Sequence, residues 1–157
     1  MNLKKVPVLA LDHTAIAVRS IESALPLYRD LLGGEPFEYS QRPSQSFHTM
    51  VLHYPNGAAV ELIAPLGETG FVQDFLSKRG EGVHHLTYLV ADIRASVQAA
   101  RAAGFRVVGE DFSRPEWSEA FISPRDAHGT IVQLAQTNLS TEARHEFWHP
   151  RGFDEGS

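Results

Sequence analysis

Two histidines, His13 and His85, lie 72 residues apart, and a second polar pair, Glu61 and Gln133, has the same separation. Each histidine therefore precedes its polar partner by 48 residues. The surroundings repeat as well. Asp12-His13-Thr14-Ala15-Ile16-Ala17-Val18 answers to His84-His85-Leu86-Thr87-Tyr88-Leu89-Val90, and Asn56-Gly57-Ala58-Ala59-Val60-Glu61 to His128-Gly129-Thr130-Ile131-Val132-Gln133. A duplicated unit limits the fold strongly, because one architecture must serve both copies. Each copy carries one potential metal ligand near its start and one near its end. Two imidazoles and two side-chain oxygens at equivalent positions make a candidate metal site between the halves.

A chain of 157 residues suffices for one domain with a core, or for two small halves sharing one. Its hydrophobic content of 43% and charged content of 21% are ordinary for a soluble globular protein. The net charge of -5, with no basic run, argues against nucleic acid as a partner. With no cysteine, disulfides and thiolate ligands are excluded, so a metal would be held by nitrogen and oxygen. The opening residues lack a long apolar stretch, and no segment reads as a signal peptide or a membrane span. A cytoplasmic protein with no membrane partner is expected.

Leu9 to Val18 alternates as a strand. Ser20 is placed to cap a helix from Ile21 to about Leu32, with Ala24, Leu25, Leu27, Tyr28, Leu31 and Leu32 on its apolar side. Pro26 lies close enough to its start to be tolerated or to kink it. A short strand from Glu35 to Ser40 precedes a hairpin of Phe47 to Tyr54 and Ala58 to Ile63 around Pro55-Asn56-Gly57. The second copy follows the same order: a strand from His84 to Val90, a helix from Ile93 to Ala103 capped by Asp92, and strands at Val107 to Glu110, Glu119 to Ser123 and Thr130 to Ala135. The expected fold class is α+β: two tandem βαβββ modules forming a curled mixed sheet around a central metal cavity. One domain would cover residues 9–136, with module one at 9–63, a linker at 64–82 and module two at 83–136. The linker holds a short helix, Phe71 to Lys78, expected to pack through Phe71, Phe75 and Leu76. Residues 137–157 form a polar tail with aromatic inserts at Phe147, Trp148 and Phe153.

Strand parity ties this pattern to a site. His13, Ala15 and Ala17 share a face opposite Ile16 and Val18, and His85 stands likewise with Thr87 and Leu89. Glu61 shares a face with Ala59 and Ile63, and Gln133 with Ile131 and Ala135. The alternate residues Val60, Leu62, Val132 and Leu134 suit a helix-covered side. All four polar groups point into one concavity if the sheets of the two copies curl together. His84, His53 and His128 are expected to be structural. His145 and His149 lie in the tail, Lys78-Arg79 ends the linker helix, and Trp117 and Trp148 are candidate pocket or packing residues.

Over roughly residues 9–136 this arrangement resembles the vicinal oxygen chelate superfamily, which includes glyoxalase I, extradiol dioxygenases and methylmalonyl-CoA epimerase. The runs Val60-Glu61-Leu62-Ile63-Ala64-Pro65-Leu66-Gly67 and Phe75-Leu76-Ser77-Lys78-Arg79-Gly80-Glu81-Gly82-Val83-His84-His85-Leu86 are similar to the epimerases' stretch from second to third ligand. Asp12 to Val18 is similar to their first-ligand strand.

The resemblance implies a divalent metal bound by His13, Glu61, His85 and Gln133. Such a donor set suits octahedral Co²⁺, Mn²⁺, Ni²⁺ or Fe²⁺ better than a closed tetrahedral zinc site. The epimerases usually carry a carboxylate where this chain has Gln133, and an amide can ligate but cannot act as a base. Candidates for proton transfer are then Glu61, His48 and Glu119. The leading functional expectation is a metal-dependent isomerase or epimerase that abstracts a proton next to a carbonyl, with an acyl-CoA as the best substrate guess. The alternatives are an Fe(II) extradiol-type dioxygenase, a glyoxalase I-like lyase and a non-enzymatic drug-binding protein. The resemblance also implies a homodimer.

Overall fold

The computed structural model describes residues 4–149. The chain is α+β, with eight strands among the described residues paired in both parallel and antiparallel senses. It divides into two compact units, each containing a βαβββ run.

The second-copy unit takes residues 85–140 together with residues 4–13. Strand β5 (Gly82–Val90) leads into a helix at Ile93–Ala102, followed by β6 (Val107–Asp111), β7 (Ser118–Ile122) and β8 (Ile131–Gln136). The strand order is β5-β8-β7-β6, with β5 and β8 parallel and the other pairs antiparallel. Asp92 begins the helix as expected: its side chain accepts from the backbone N–H of Ala95 at 2.9 Å, satisfying one donor of the open first turn. Ile93, Val97 and Ala100 recur at helical spacing and bury against Val107, Ala120 and Leu134.

The first-copy unit takes residues 14–84 and 141–149. Strand β1 (Val8–Ala17) enters it at Thr14 and pairs in parallel with β4 (Ala59–Pro65); β3 (Phe47–His53) and β2 (Glu35–Arg42) follow antiparallel, giving β2-β3-β4-β1. The turn between β3 and β4 uses Asn56 and Gly57, both at positive φ, residue types that tolerate that region best. Val18, Ile21, Leu25, Met50, Leu52 and Leu62 form the core on the helix side.

The first helix differs from expectation. An α-helical turn, Ile21–Leu25, gives way to a π-helical turn, Pro26–Leu31. Proline has no N–H for the α-ladder, and the bonds resume in the wider register, with Leu32 N–H reaching Leu27 O at 3.0 Å. The shift rotates the following residues, so Leu27, Leu31 and Leu32 are exposed rather than packed. The linker helix, Phe71–Arg79, buries Val72 and Leu76 on Ala17 and Ile63, while Phe71 stays largely outside. The C-terminal helix Thr141–Phe147 packs on β2, where buried Arg144 meets Glu38 at 3.1 Å, and the Trp148 carbonyl accepts from Tyr39 N–H at 2.8 Å. Residues 141–148 therefore lie against the edge of β2, which would otherwise present unpaired backbone groups. Phe153 lies outside the described residues.

Candidate active site

In the second-copy unit, alternation on β5, β7 and β8 sends one set of side chains away from the helix. His85 and Thr87 come from β5, Glu119 and Phe121 from β7, and Gln133 from β8. His13, at the end of the segment of β1 in this unit, joins them. His13, His85, Thr87 and Gln133 are all buried. The two imidazoles meet edge to face with ring centroids 5.7 Å apart. Trp117 stacks on His13 at 6.3 Å, and Phe121 stands edge-on to His85 at 6.5 Å, so each imidazole has an aromatic neighbour.

A row of hydrogen bonds runs through these groups. The Asp12 carboxylate lies 2.8 Å from His13 Nδ1, and Thr87 Oγ1 lies 2.9 Å from His13 Nε2. The Thr87 hydroxyl donates to Gln133 Oε1 at 2.5 Å. Gln133 Nε2 donates to Glu119 Oε2 at 2.6 Å, and Trp117 Nε1 donates to the same oxygen at 2.9 Å. Thr87 has one hydroxyl proton, and it goes to Gln133. Asp12 orients the His13 ring through Nδ1, so Nε2 is the nitrogen that faces the row. Two N–H donors on one Glu119 oxygen favour the ionised carboxylate.

In the first-copy unit, Glu61 on β4 opposes Val51 and shares its face with Thr49, whose hydroxyl donates to Glu61 Oε1 at 2.5 Å. Glu61 also pairs in parallel with Ala15 of β1. His48 is elsewhere. It alternates with Thr49 and lies on the side of Met50 and Leu52, where its Nδ1 meets the Tyr39 hydroxyl at 3.1 Å. Burial pushes the His48 pKa below the ordinary histidine value, and the nearby Glu22 charge opposes that only in part. His48 is thus a neutral packing group on the opposite face from Glu61, which removes it as a proton-transfer candidate.

The donors fit a divalent metal. They offer imidazole nitrogen and side-chain oxygen without thiolate, and the second-copy unit alone supplies two imidazoles and an amide oxygen in one buried row.

The family model of the Glyoxalase/Bleomycin resistance protein/Dioxygenase superfamily matches residues 12–121. The chain belongs to this superfamily. An ethylmalonyl-CoA/methylmalonyl-CoA epimerase of Cereibacter sphaeroides is 35% identical over 132 residues, covering 80% of this chain and 96% of that protein. The crystal structure of methylmalonyl-CoA epimerase from Mycobacterium tuberculosis superposes with a TM-score of 0.78 at 31% identity, covering 87% of this chain and 93% of that one. A methylmalonyl-CoA epimerase in complex with methylmalonyl-CoA and NH4+ gives 0.74 at 26% identity, over 85% and 96%. This superfamily member is an enzyme of the epimerase type.

Several groups of the superfamily member's site escape a reading for ligands alone. Thr87 could have been found from its place two residues after His85, but its counterpart in the first copy is Ala15, so the repeat hides it. Thr49 is signalled only by parity with Glu61. Asp12 sits beside a ligand-type histidine, a frequent orienting arrangement. Three other histidines have packing or backbone partners: His84 packs on Phe75 at 4.8 Å, His53 stacks on Phe37 at 3.6 Å, and His145 Nδ1 meets the Phe37 carbonyl at 2.9 Å.

Proposed function

We propose that the chain is a divalent-metal-dependent epimerase acting on the carbon next to the thioester carbonyl of methylmalonyl-CoA or a close acyl-CoA analogue. His13, Glu61, His85 and Gln133 are the proposed metal ligands, and Co²⁺, Mn²⁺, Ni²⁺ or Fe²⁺ the metals they suit. The observation that carries the reading is the buried row Asp12–His13–Thr87–Gln133 beside His85. Burying this much polarity is costly unless every group has a task and a partner. The epimerase relatives support the reaction type.

Once bound, the metal supplies Lewis-acid polarisation of the substrate's carbonyl. The residues do the rest. Asp12 and Thr87 fix the His13 ring. Gln133 offers an amide oxygen and no base. Glu61 accepts the α-proton as its C–H bond breaks, and the electron pair moves onto the carbonyl oxygen. Thr49 holds Glu61 by one oxygen, so its two oxygens can divide ligation and proton transfer. Glu61 then releases its proton to solvent, and water gives a proton to the opposite face of the carbon, which completes inversion. Trp117 and Phe121 keep water from the imidazoles, which strengthens the local electrostatics.

No helix among the described residues is long and apolar enough to cross a membrane. A cytoplasmic homodimer is the assembly proposed, to be checked by sedimentation.

The test uses Co²⁺-loaded protein with one pure epimer of methylmalonyl-CoA, following formation of the other by chiral chromatography. Conversion that EDTA removes and that His85→Ala abolishes is expected. No conversion with metal demonstrably bound overturns the proposal, and oxygen uptake with a catechol would then move it to dioxygenase chemistry.

A further inference from the structure

Gln133 is an amide at a position where an oxygen donor is needed, and an amide has two ends. Its oxygen can accept a hydrogen bond or meet a cation, whereas its nitrogen only donates. The ends are nearly equal in size, so packing alone does not decide which one faces Thr87 and the histidines. The decision is made on the far side of the amide. Gln133 Nε2 donates to Glu119 Oε2 at 2.6 Å, and an ionised carboxylate can only accept. It therefore selects the nitrogen end. Trp117 Nε1, a group that can only donate, holds the same Glu119 oxygen at 2.9 Å. The register makes room for this contact. Glu119 opposes Ala135, a small residue, and Gln133 opposes Phe121, so the carboxylate reaches Gln133 on the diagonal.

We propose that Glu119, held by Trp117, is a positioning residue that fixes the Gln133 amide with its oxygen toward Thr87, making Gln133 an oxygen ligand where a carboxylate would need no such help. The consequence for metal binding rests on the function proposed above; the orientation itself does not. Without an acceptor at 119, the amide can turn over and present N–H groups that repel a cation. With glutamate at 133, both ends are oxygens and nothing needs orienting, while two carboxylates are left in contact. Loss of Glu119 should therefore act in opposite directions in the two backgrounds.

The experiment is Mn²⁺ titration calorimetry on wild type, Glu119→Leu, Glu119→Gln, Gln133→Glu and the Glu119→Leu/Gln133→Glu double variant. Glu119→Leu should weaken Mn²⁺ binding about ten- to a hundredfold. Glu119→Gln, which keeps an acceptor oxygen, should weaken it less. In the Gln133→Glu background, Glu119→Leu should leave affinity unchanged or raise it. A merely structural role for Glu119 predicts the same loss in both backgrounds, and that result overturns the proposal. A second readout needs no metal. The side-chain amide signals of Gln133 in ¹H–¹⁵N spectra should be distinct and slow to exchange in wild type and Glu119→Gln, and shifted and fast in Glu119→Leu. Identical signals in wild type and Glu119→Leu overturn the orientation. If wild type binds no Mn²⁺, the metal reading fails, and the metal-free spectra still decide the role of Glu119.

Discussion

Thr87→Val isolates one hydroxyl at the centre of the buried row. Valine matches threonine in shape and suits a strand at least as well, so the change leaves volume and backbone preference nearly intact. What it removes is the donor to Gln133 Oε1, at 2.5 Å, and the oxygen beside His13 Nε2, at 2.9 Å. Thr87 has no exposed surface, and Gln133 is 5% exposed, so water cannot readily replace the lost partner. A buried acceptor left without its donor costs about 1–3 kcal/mol. A midrange loss of about 2 kcal/mol lowers the melting temperature of a chain this size by about 4–8 °C. Thermal melts followed by circular dichroism in EDTA measure this without metal. Thr87→Ser restores the hydroxyl and should recover part of the loss, less the methyl group. Mn²⁺ affinity should fall with Thr87→Val by about tenfold or more, because both His13 and Gln133 lose an orienting contact. A Thr87→Val protein that melts within a degree of wild type and binds Mn²⁺ equally well would refute the reasoning that the row is held together by this hydroxyl.

Three further outcomes follow from the geometry. His48 is held neutral by burial, with Glu22 opposing only in part, so its folded pKa lies below the unfolded value of about 6.5. As pH falls the unfolded chain takes the proton first; the His48 contribution is whole above about pH 6.5 and is lost below it, and His48→Gln should flatten the decline of the urea midpoint in that range while sparing epimerisation. Arg144→Ala strands Glu38 from a cation 3.1 Å away in a buried setting and should cost about 3–5 kcal/mol in urea unfolding, whereas replacing both residues with apolar ones should cost much less. Gly34→Ala would place a Cβ 2.6 Å from the Tyr28 carbonyl oxygen and 2.8 Å from the Tyr54 hydroxyl, and should lower stability by about 1–3 kcal/mol in the same assay.

The repeat made much of the fold legible because both hydrophobic alternation and helix caps recur with it. Ser20 and Asp92 cap their helices through side-chain oxygens, and Asn56-Gly57 turns the hairpin, each a local effect that needs no tertiary context. The helix after Ser20 was legible only in its first turn. Pro26 shifts the ladder, and which leucines then face the core depends on a register that apolar spacing does not encode. His48 shows the same limit at the site. Its residue type suggested chemistry, but Ala120, 72 residues later, lies fully buried in the core on the helix side, and the repeat puts His48 there too. Thr49 and Thr87 were invisible for the opposite reason. Threonine is an ordinary strand residue, and only the contacts to Glu61 and Gln133 distinguish these two. Glu119 stood out in the sequence as a possible acid, but its bond to the Gln133 amide depends on cross-strand register between β7 and β8.

The measurement that bears most directly on the account is α-proton exchange of methylmalonyl-CoA in D₂O, followed by NMR, with wild type and Glu61→Gln each carrying bound Mn²⁺ or Co²⁺ confirmed by metal analysis. Wild type should exchange the proton, and Glu61→Gln should retain metal yet exchange at least about a hundredfold more slowly, the usual scale for loss of a positioned base. Metal-loaded wild type that leaves the proton in place, or Glu61→Gln that exchanges it at the wild-type rate, would contradict the account.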